Sequence, residues 1–207
     1  MTEPGLNSLL AEAGSAALDA GDVQRFDAYL ALLVRWNART NLTAIRDEAG
    51  IRRRHFLESI LVARALPAGI GSLLDFGSGA GFPGIPIAIC RPEIAVTLAE
   101  SQHKKAAFLR EAVRNLGLST QVHADRAELL AAEFDCVAMR AVDKMEAALP
   151  AAAKLVKPEG WIAVMTTEGD ISSVHKLAEK ANRPISWQPA QALPLGTQQV
   201  LLLGQLC

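Results

Sequence analysis

The chain has 207 residues, half of them hydrophobic and about a fifth charged, enough apolar surface for one large domain or one domain with an appendage. Its 21 basic and 22 acidic side chains leave a formal charge of −1, so bulk charge points to neither nucleic acid nor membrane and local patches must decide. Cys90, Cys136 and Cys207 are dispersed, with no ligand-like Cys or His spacing, so no metal site is expected.

Met1-Thr2-Glu3-Pro4 has no basic segment followed by an apolar one, and no apolar run approaches the roughly 18 residues of a membrane span. A cytoplasmic, reducing setting is the expectation. Residues 1–67 read as a helical extension. Leu6, Leu9, Leu10 and Ala13 suggest a short helix. Phe26, Tyr29, Leu30, Leu33 and Val34 recur at helical spacing in a second, with Asp22 as its expected cap. A third helix is expected from Asp47 to Leu66, with Ile51, Phe56, Ile60 and Ala63 on its apolar side. Pro67-Ala68-Gly69 ends it.

Residues 68–207 change texture. Strands are expected at 72–76, 94–99, 120–123, 134–139 and 161–166, with a closing pair at 185–187 and 199–203. Helices are expected between them near 84–91, 102–116, 143–156 and 170–182. Apolar strands alternating with helices imply a mostly parallel, Rossmann-like α/β sheet of seven strands with helices on both faces. Ligands of such sheets sit beyond the carboxyl ends of the strands. Here those ends are the Gly77–Gly84 loop, Glu100, Asp125–Glu128 and Arg140.

The most informative segment is Asp75-Phe76-Gly77-Ser78-Gly79-Ala80-Gly81-Phe82-Pro83-Gly84. Glycines at alternate positions after a strand let a nucleotide-like ligand lie on bare backbone. Residues 79–84 fit G-x-G-x-x-G, the dinucleotide fingerprint, and Glu100 closes the next strand where ribose hydroxyls need an acceptor. An NAD(P)-dependent oxidoreductase is therefore one reading. The other starts from Asp75 and the extra Gly77, which make D-x-G-x-G-x-G, similar to motif I of class I S-adenosylmethionine-dependent methyltransferases. Pro83 and Pro86 bracket the last glycine, where a dinucleotide fold wants a smooth helix start beneath a pyrophosphate.

Amine methyltransferases carry a Pro-Pro loop after the fourth strand; Met139-Arg140-Ala141-Val142 stands there instead. Cys90 precedes Arg91-Pro92, the wrong order for a carbon-methylating nucleophile, and Cys136 lies inside a strand. Guanine N7 fits better. It has a free lone pair and loses no proton, so orientation and electrostatics suffice and no catalytic base is required.

Several segments together resemble the RsmG (GidB) family, bacterial 16S ribosomal RNA guanine-N7 methyltransferases. They are Trp36-Asn37, Asn41-Leu42-Thr43, Arg54-His55 with Ser59, the run from Asp75 to Pro86, Arg91-Pro92, Glu100-Ser101, Lys104-Lys105 with Phe108-Leu109, Arg126-Ala127-Glu128, Phe134-Asp135 and Arg140-Ala141. The run ending Gly-Phe-Pro-Gly-Ile-Pro is the specific part. The resemblance implies S-adenosylmethionine as cofactor, guanosine 527 as acceptor, and 16S RNA, the small ribosomal subunit or an assembly intermediate as partner. Carried over, it implies cofactor contacts at Gly77 and Phe82, Ala127 and Glu128 beside the adenine, and Arg140, which either holds the cofactor or faces the guanine. A methyltransferase of this fold with another RNA acceptor stays open. The family's usual Leu-Lys-Gly after the fifth strand is absent; Met165-Thr166-Thr167-Glu168-Gly169 stands there, and Thr197-Gln198-Gln199 replaces a usual Arg-His. Arg52, Arg53, Arg54 and His55 form the densest basic run, followed by Lys104 and Lys105; these are the candidates for RNA contact.

Overall fold

In the computed structural model, which describes residues 4–140, 144–181, 183–193 and 198–207, the N-terminal segment forms α1 (Leu6–Glu12), α2 (Ala20–Asn37) and a long broken helix. Asp19, not Asp22, caps α2: its side chain accepts from the Asp22 N–H, and Asp22 sits in the first turn paired with Arg25. The expected third helix begins as α3 (Glu48–Ile51) and ends as α4 (Glu58–Ala65), but Arg52–Leu57 between them is a π-helix. A π turn carries one extra residue and re-aims everything after it.

Eight strands follow: β1 (Ser72–Phe76), β2 (Ala95–Ala99), β3 (Gln121–His123), β4 (Phe134–Arg140), β5 (Val156–Thr167), β6 (Ile185–Trp187), β7 (Gln191–Ala192) and β8 (Gln199–Leu206). The helices are α5 (Gly84–Cys90), α6 (His103–Asn115), α7 (Met145–Lys154) and α8 (Ile171–Glu179). The start of the expected helix at 143, together with Ala141 and Thr197, lies outside the described residues. The sheet order is β3-β2-β1-β4-β5-β8-β6. The first five strands run parallel, and β8 is antiparallel to both neighbours. Seven strands form this path, the number expected; β7 is an addition, a two-residue strand beside β8.

Residues alternate across the sheet, as the two-residue period of a strand requires. Leu73, Ala138 and Leu203 join a cluster with Leu10, Phe56 and Phe108, while Leu74, Val137 and Leu202 join one with Leu149 and Val174. Thus α1–α6 cover one face and α7–α8 the other. The N-terminal helices share a single core with the first face. The strand order reverses between β1 and β4, which opens a crevice at the carboxyl ends of those strands.

Candidate functional site

The loop after β1 runs through three left-handed glycines, with φ of 76° at Gly77, 57° at Gly79 and 94° at Gly81. Other residues strain there. The Gly77 and Ser78 amides both donate to the Ala99 carbonyl at the end of β2. Glu100, the next residue, accepts from Gly79 N–H on one oxygen (2.9 Å) and from Gln102 N–H on the other (2.7 Å). Glu100 therefore holds the loop's shape, and each of its oxygens keeps a further lone pair for a ligand hydroxyl. A Cβ on Gly81 would meet Ile85 Cδ1 at 2.5 Å and the Tyr29 hydroxyl at 2.6 Å. At Gly79 the nearest atom is 3.9 Å away, so that backbone borders open space.

Behind the loop, Asp75 is fully buried and accepts from the Gly84 N–H at 3.0 Å. Burial is the main cause that raises its carboxyl to about 7, and Glu100 adds to the rise. Gly84 opens α5. Its amide is taken by Asp75, that of Ile85 by the Gly81 carbonyl, and that of Ile87 by the Pro83 carbonyl, while Pro86 has none. No amide at this helix start is left for a phosphate, the contact that a dinucleotide site needs.

In front of the loop is a cleft of about 410 Å³. Gly77, Phe82, Glu100, Ala127, Glu128 and Arg140, the expected cofactor set, all line it. Ala127 and Glu128 stand on a 3-10 turn before β4, the first buried and the second exposed. Arg140 ends β4. Its Nη2 donates to Glu58 Oε2 and to the Arg54 carbonyl, each at 2.6 Å. Burial pulls the guanidinium below its usual value, and the Glu58 carboxylate opposes that pull. Arg140 Nη1 is buried without a hydrogen-bond partner among the described residues.

The N-terminal segment adds Leu42, Thr43 and His55 to the wall, outside the expected cofactor set. Asn37 builds the approach by accepting from the Leu42 and Thr43 amides and donating to the Thr43 carbonyl. Thr43 Oγ1 and His55 Nε2 lie 2.7 Å apart, and the imidazole stacks on Phe82 with centroids 4.6 Å apart and planes at 17°. Burial, then the nearby Arg140 and Arg54 charges, lower its pKa to about 3, so the ring is neutral.

The basic run is thereby divided. Arg52 pairs with Asp27 at 2.9 Å, Arg53 stands 3.8 Å from Glu12, Arg54 is exposed and His55 turns inward. Lys105 lines the cleft and Lys104 faces solvent on the first turn of α6. Among the described residues no cluster of His, Cys, Asp and Glu could hold a metal, and no helix is long and apolar enough to cross a membrane.

Solved structures share the fold. A SAM-dependent methyltransferase from Aquifex aeolicus aligns with a TM-score of 0.59 at 16% identity, covering 76% of this chain and 92% of that one. The AdoMet complex of M. jannaschii TYW2 aligns at 0.59 and 17% identity over 73% and 75%. The fold is thus that of the class I S-adenosylmethionine-dependent methyltransferases. Two curated relatives are closer in sequence. The "Ribosomal RNA small subunit methyltransferase G" of Xanthomonas axonopodis pv. citri is 40% identical over 91% of both chains. That of Stenotrophomonas maltophilia K279a is 41% identical over 87% of this chain and 83% of its own. The profile of GidB, rRNA small subunit methyltransferase G, matches residues 22–188. This chain belongs to the GidB family of rRNA small subunit methyltransferase G.

Proposed function

We propose that this protein methylates N7 of a guanosine in 16S ribosomal RNA, with S-adenosylmethionine as methyl donor. The observation that carries the reading is the cradle of left-handed glycines pinned by Glu100, beside a helix start with no amide free for a pyrophosphate. S-adenosylmethionine, when bound, supplies an electrophilic methyl group on a sulfonium. Residues 68–207 form the methyltransferase unit, and residues 1–67 complete its cleft. In this reading Glu100 accepts from the ribose hydroxyls, Gly77 lets the ligand lie on backbone, and Phe82 forms a wall. Ala127 and Glu128 flank the adenine. The buried Nη1 of Arg140, without a partner among the described residues, suits the cofactor's carboxylate.

The acceptor reading follows from how the ionisable groups are occupied. His55 is held neutral against Thr43, both Glu100 oxygens accept backbone amides, and Asp75 lies behind the loop. Guanine N7 needs none of them as a base. Its lone pair forms the bond to the methyl carbon as the carbon–sulfur bond breaks. The bond pair goes to sulfur, the positive charge moves to the base, and no proton leaves. Orientation then supplies most of the rate.

The relatives' names support small-subunit RNA as the substrate class. Calorimetry separates the cofactors: tight S-adenosylmethionine binding with none for NAD is expected, and the reverse would return the dehydrogenase reading. Labelled methyl should enter 16S RNA, as free RNA or small subunits, from cells lacking this gene. Cleavage chemistry specific for N7-methylguanine should then cut at one position. Label that resists that cleavage would overturn the acceptor assignment and leave the fold untouched.

A further inference from the structure

Beyond Arg140 is a second cavity of about 510 Å³, which the reading above does not use. It lies past the carboxyl ends of β4 and β5, with α8 as one wall. Arg140 and His55 line both this cavity and the cofactor cleft, so the two spaces adjoin. Met165, Val174 and Leu177 make its sides apolar, while Thr167, Asp170 and Gln199 add polar groups. Met165 and Thr167, at the end of β5, belong to the segment that departs from the usual Leu-Lys-Gly.

We propose that this cavity seats the acceptor guanine, extruded from its stack, and that Asp170 reads the base's N1–H and 2-amino edge. The inference rests on the guanine-N7 reading above. A base must leave its stack to meet a buried reactive group, and pockets for it combine apolar faces with hydrogen bonds to the Watson–Crick edge. Asp170 suits guanine in particular. An ionised carboxylate only accepts, and guanine presents adjacent N1–H and N2–H donors, which adenine does not. Thr167 Oγ1 donates to Asp170 Oδ2 at 2.6 Å and fixes the carboxylate's rotation. Oδ1 has no hydrogen bond among the described residues. The edge that Asp170 would hold lies across the purine from N7. Asp170 borders only the second cavity and Arg140 borders both, so a guanine held this way turns N7 toward the cofactor cleft.

The test uses the full-length enzyme and 16S RNA carrying either guanosine or inosine at the target position. Inosine keeps N7 and N1–H but lacks the 2-amino group. Wild-type kcat/KM should fall roughly 5- to 150-fold on inosine, the usual range for losing one good base contact. Asp170→Asn should lose a similar factor on guanosine and be indifferent to the inosine exchange. Asp170 is at the cap position of α8 yet makes no side-chain cap hydrogen bond, so the exchange removes no cap. S-adenosylmethionine affinity should match the wild type. Asp170→Asn rejecting inosine as strongly as wild type, or losing the same factor on both RNAs, would overturn the proposal. Weaker S-adenosylmethionine binding in the variant would assign the cavity to the cofactor and also overturn it. If wild type methylates no guanosine RNA at N7, the underlying function fails first and this inference with it.

Discussion

Asp75→Asn should make the protein's stability less dependent on pH. The Asp75 carboxyl is fully buried, accepts one hydrogen bond from the Gly84 amide, and has Oδ1 without a partner among the described residues. Burial raises it to about 7 from 3.8. The folded state therefore binds a proton that the unfolded chain releases, so this contribution is complete below the unfolded value and is lost as pH rises through the folded one. From about pH 5 to the folded pKa is roughly 2 units, or ~2.7 kcal/mol at 1.36 kcal/mol each. Asparagine can still accept from Gly84 but carries no charge, and its amide nitrogen inherits an unpartnered position at a cost of about 1–3 kcal/mol. His55, lowered to about 3, acts in the opposite direction, with stability lost as pH falls below its unfolded value. It is present in both proteins, so the comparison between them cancels it. Urea denaturation at about pH 5 and pH 8 should show the variant gaining roughly 2.7 kcal/mol on wild type over the interval. A gap that does not move with pH would refute the reasoning, because the buried carboxyl would then be ionised throughout.

Gly84→Ala should be severe: a Cβ there would meet Leu98 Cδ2 at 2.3 Å and Asp75 Oδ2 at 2.6 Å. Overpacking plus a disturbed Asp75 bond predicts a loss of about 2–5 kcal/mol, read as a fall in Tm of roughly 5–15 °C. Glu100→Gln must turn a donor toward one of the two amides that the carboxylate now serves, so S-adenosylmethionine affinity should drop roughly 10- to 100-fold by calorimetry, and an unchanged affinity would remove Glu100 from the ribose site. Lys104→Ala removes an exposed cation that lies outside the cleft, so its effect should be confined to RNA. The slope of log affinity against log salt should fall by about 0.7–0.9 with cofactor binding intact, and an unchanged slope would remove Lys104 from the phosphate contacts.

Strand–helix alternation was readable because each strand buried on both faces is an apolar run, and the place of the candidate cleft followed because ligands gather at the carboxyl ends of such strands. Local competition hid other features. Asp19 and Asp22 both suit a cap, and only the chain's path into α2 selects Asp19. Residues Lys157-Pro158-Glu159-Gly160 look like a turn, yet β5 runs through them from Val156, with Glu159 at φ 59°. The π segment did leave a trace. The buried residues Ile51, just before it, and Phe56, within it, are five apart, whereas Phe56, Ile60 and Ala63 keep helical intervals. Read as a plain basic run, Arg52-Arg53-Arg54-His55 suggested one RNA-facing surface. The extra residue of a π turn alters which way each side chain points, and His55 turns inward.

That inward turn makes the N-terminal helices part of the site. Among their contacts with the glycine loop and β4, the Tyr29 hydroxyl donates to the Ala80 carbonyl, His55 stacks on Phe82, and Glu58 pairs with Arg140. The last contact is hard to explain as a source of stability. Its side chains are only 1% and 12% exposed, and buried ion pairs often contribute no more than apolar replacements of equal volume. Its value lies in direction. With Nη2 committed to Glu58 and the Arg54 carbonyl, the guanidinium plane is fixed and Nη1 is held in the wall between the two cavities. The Arg54 carbonyl that completes this grip belongs to the π segment, so the distortion of the helix and the orientation of Arg140 are one feature.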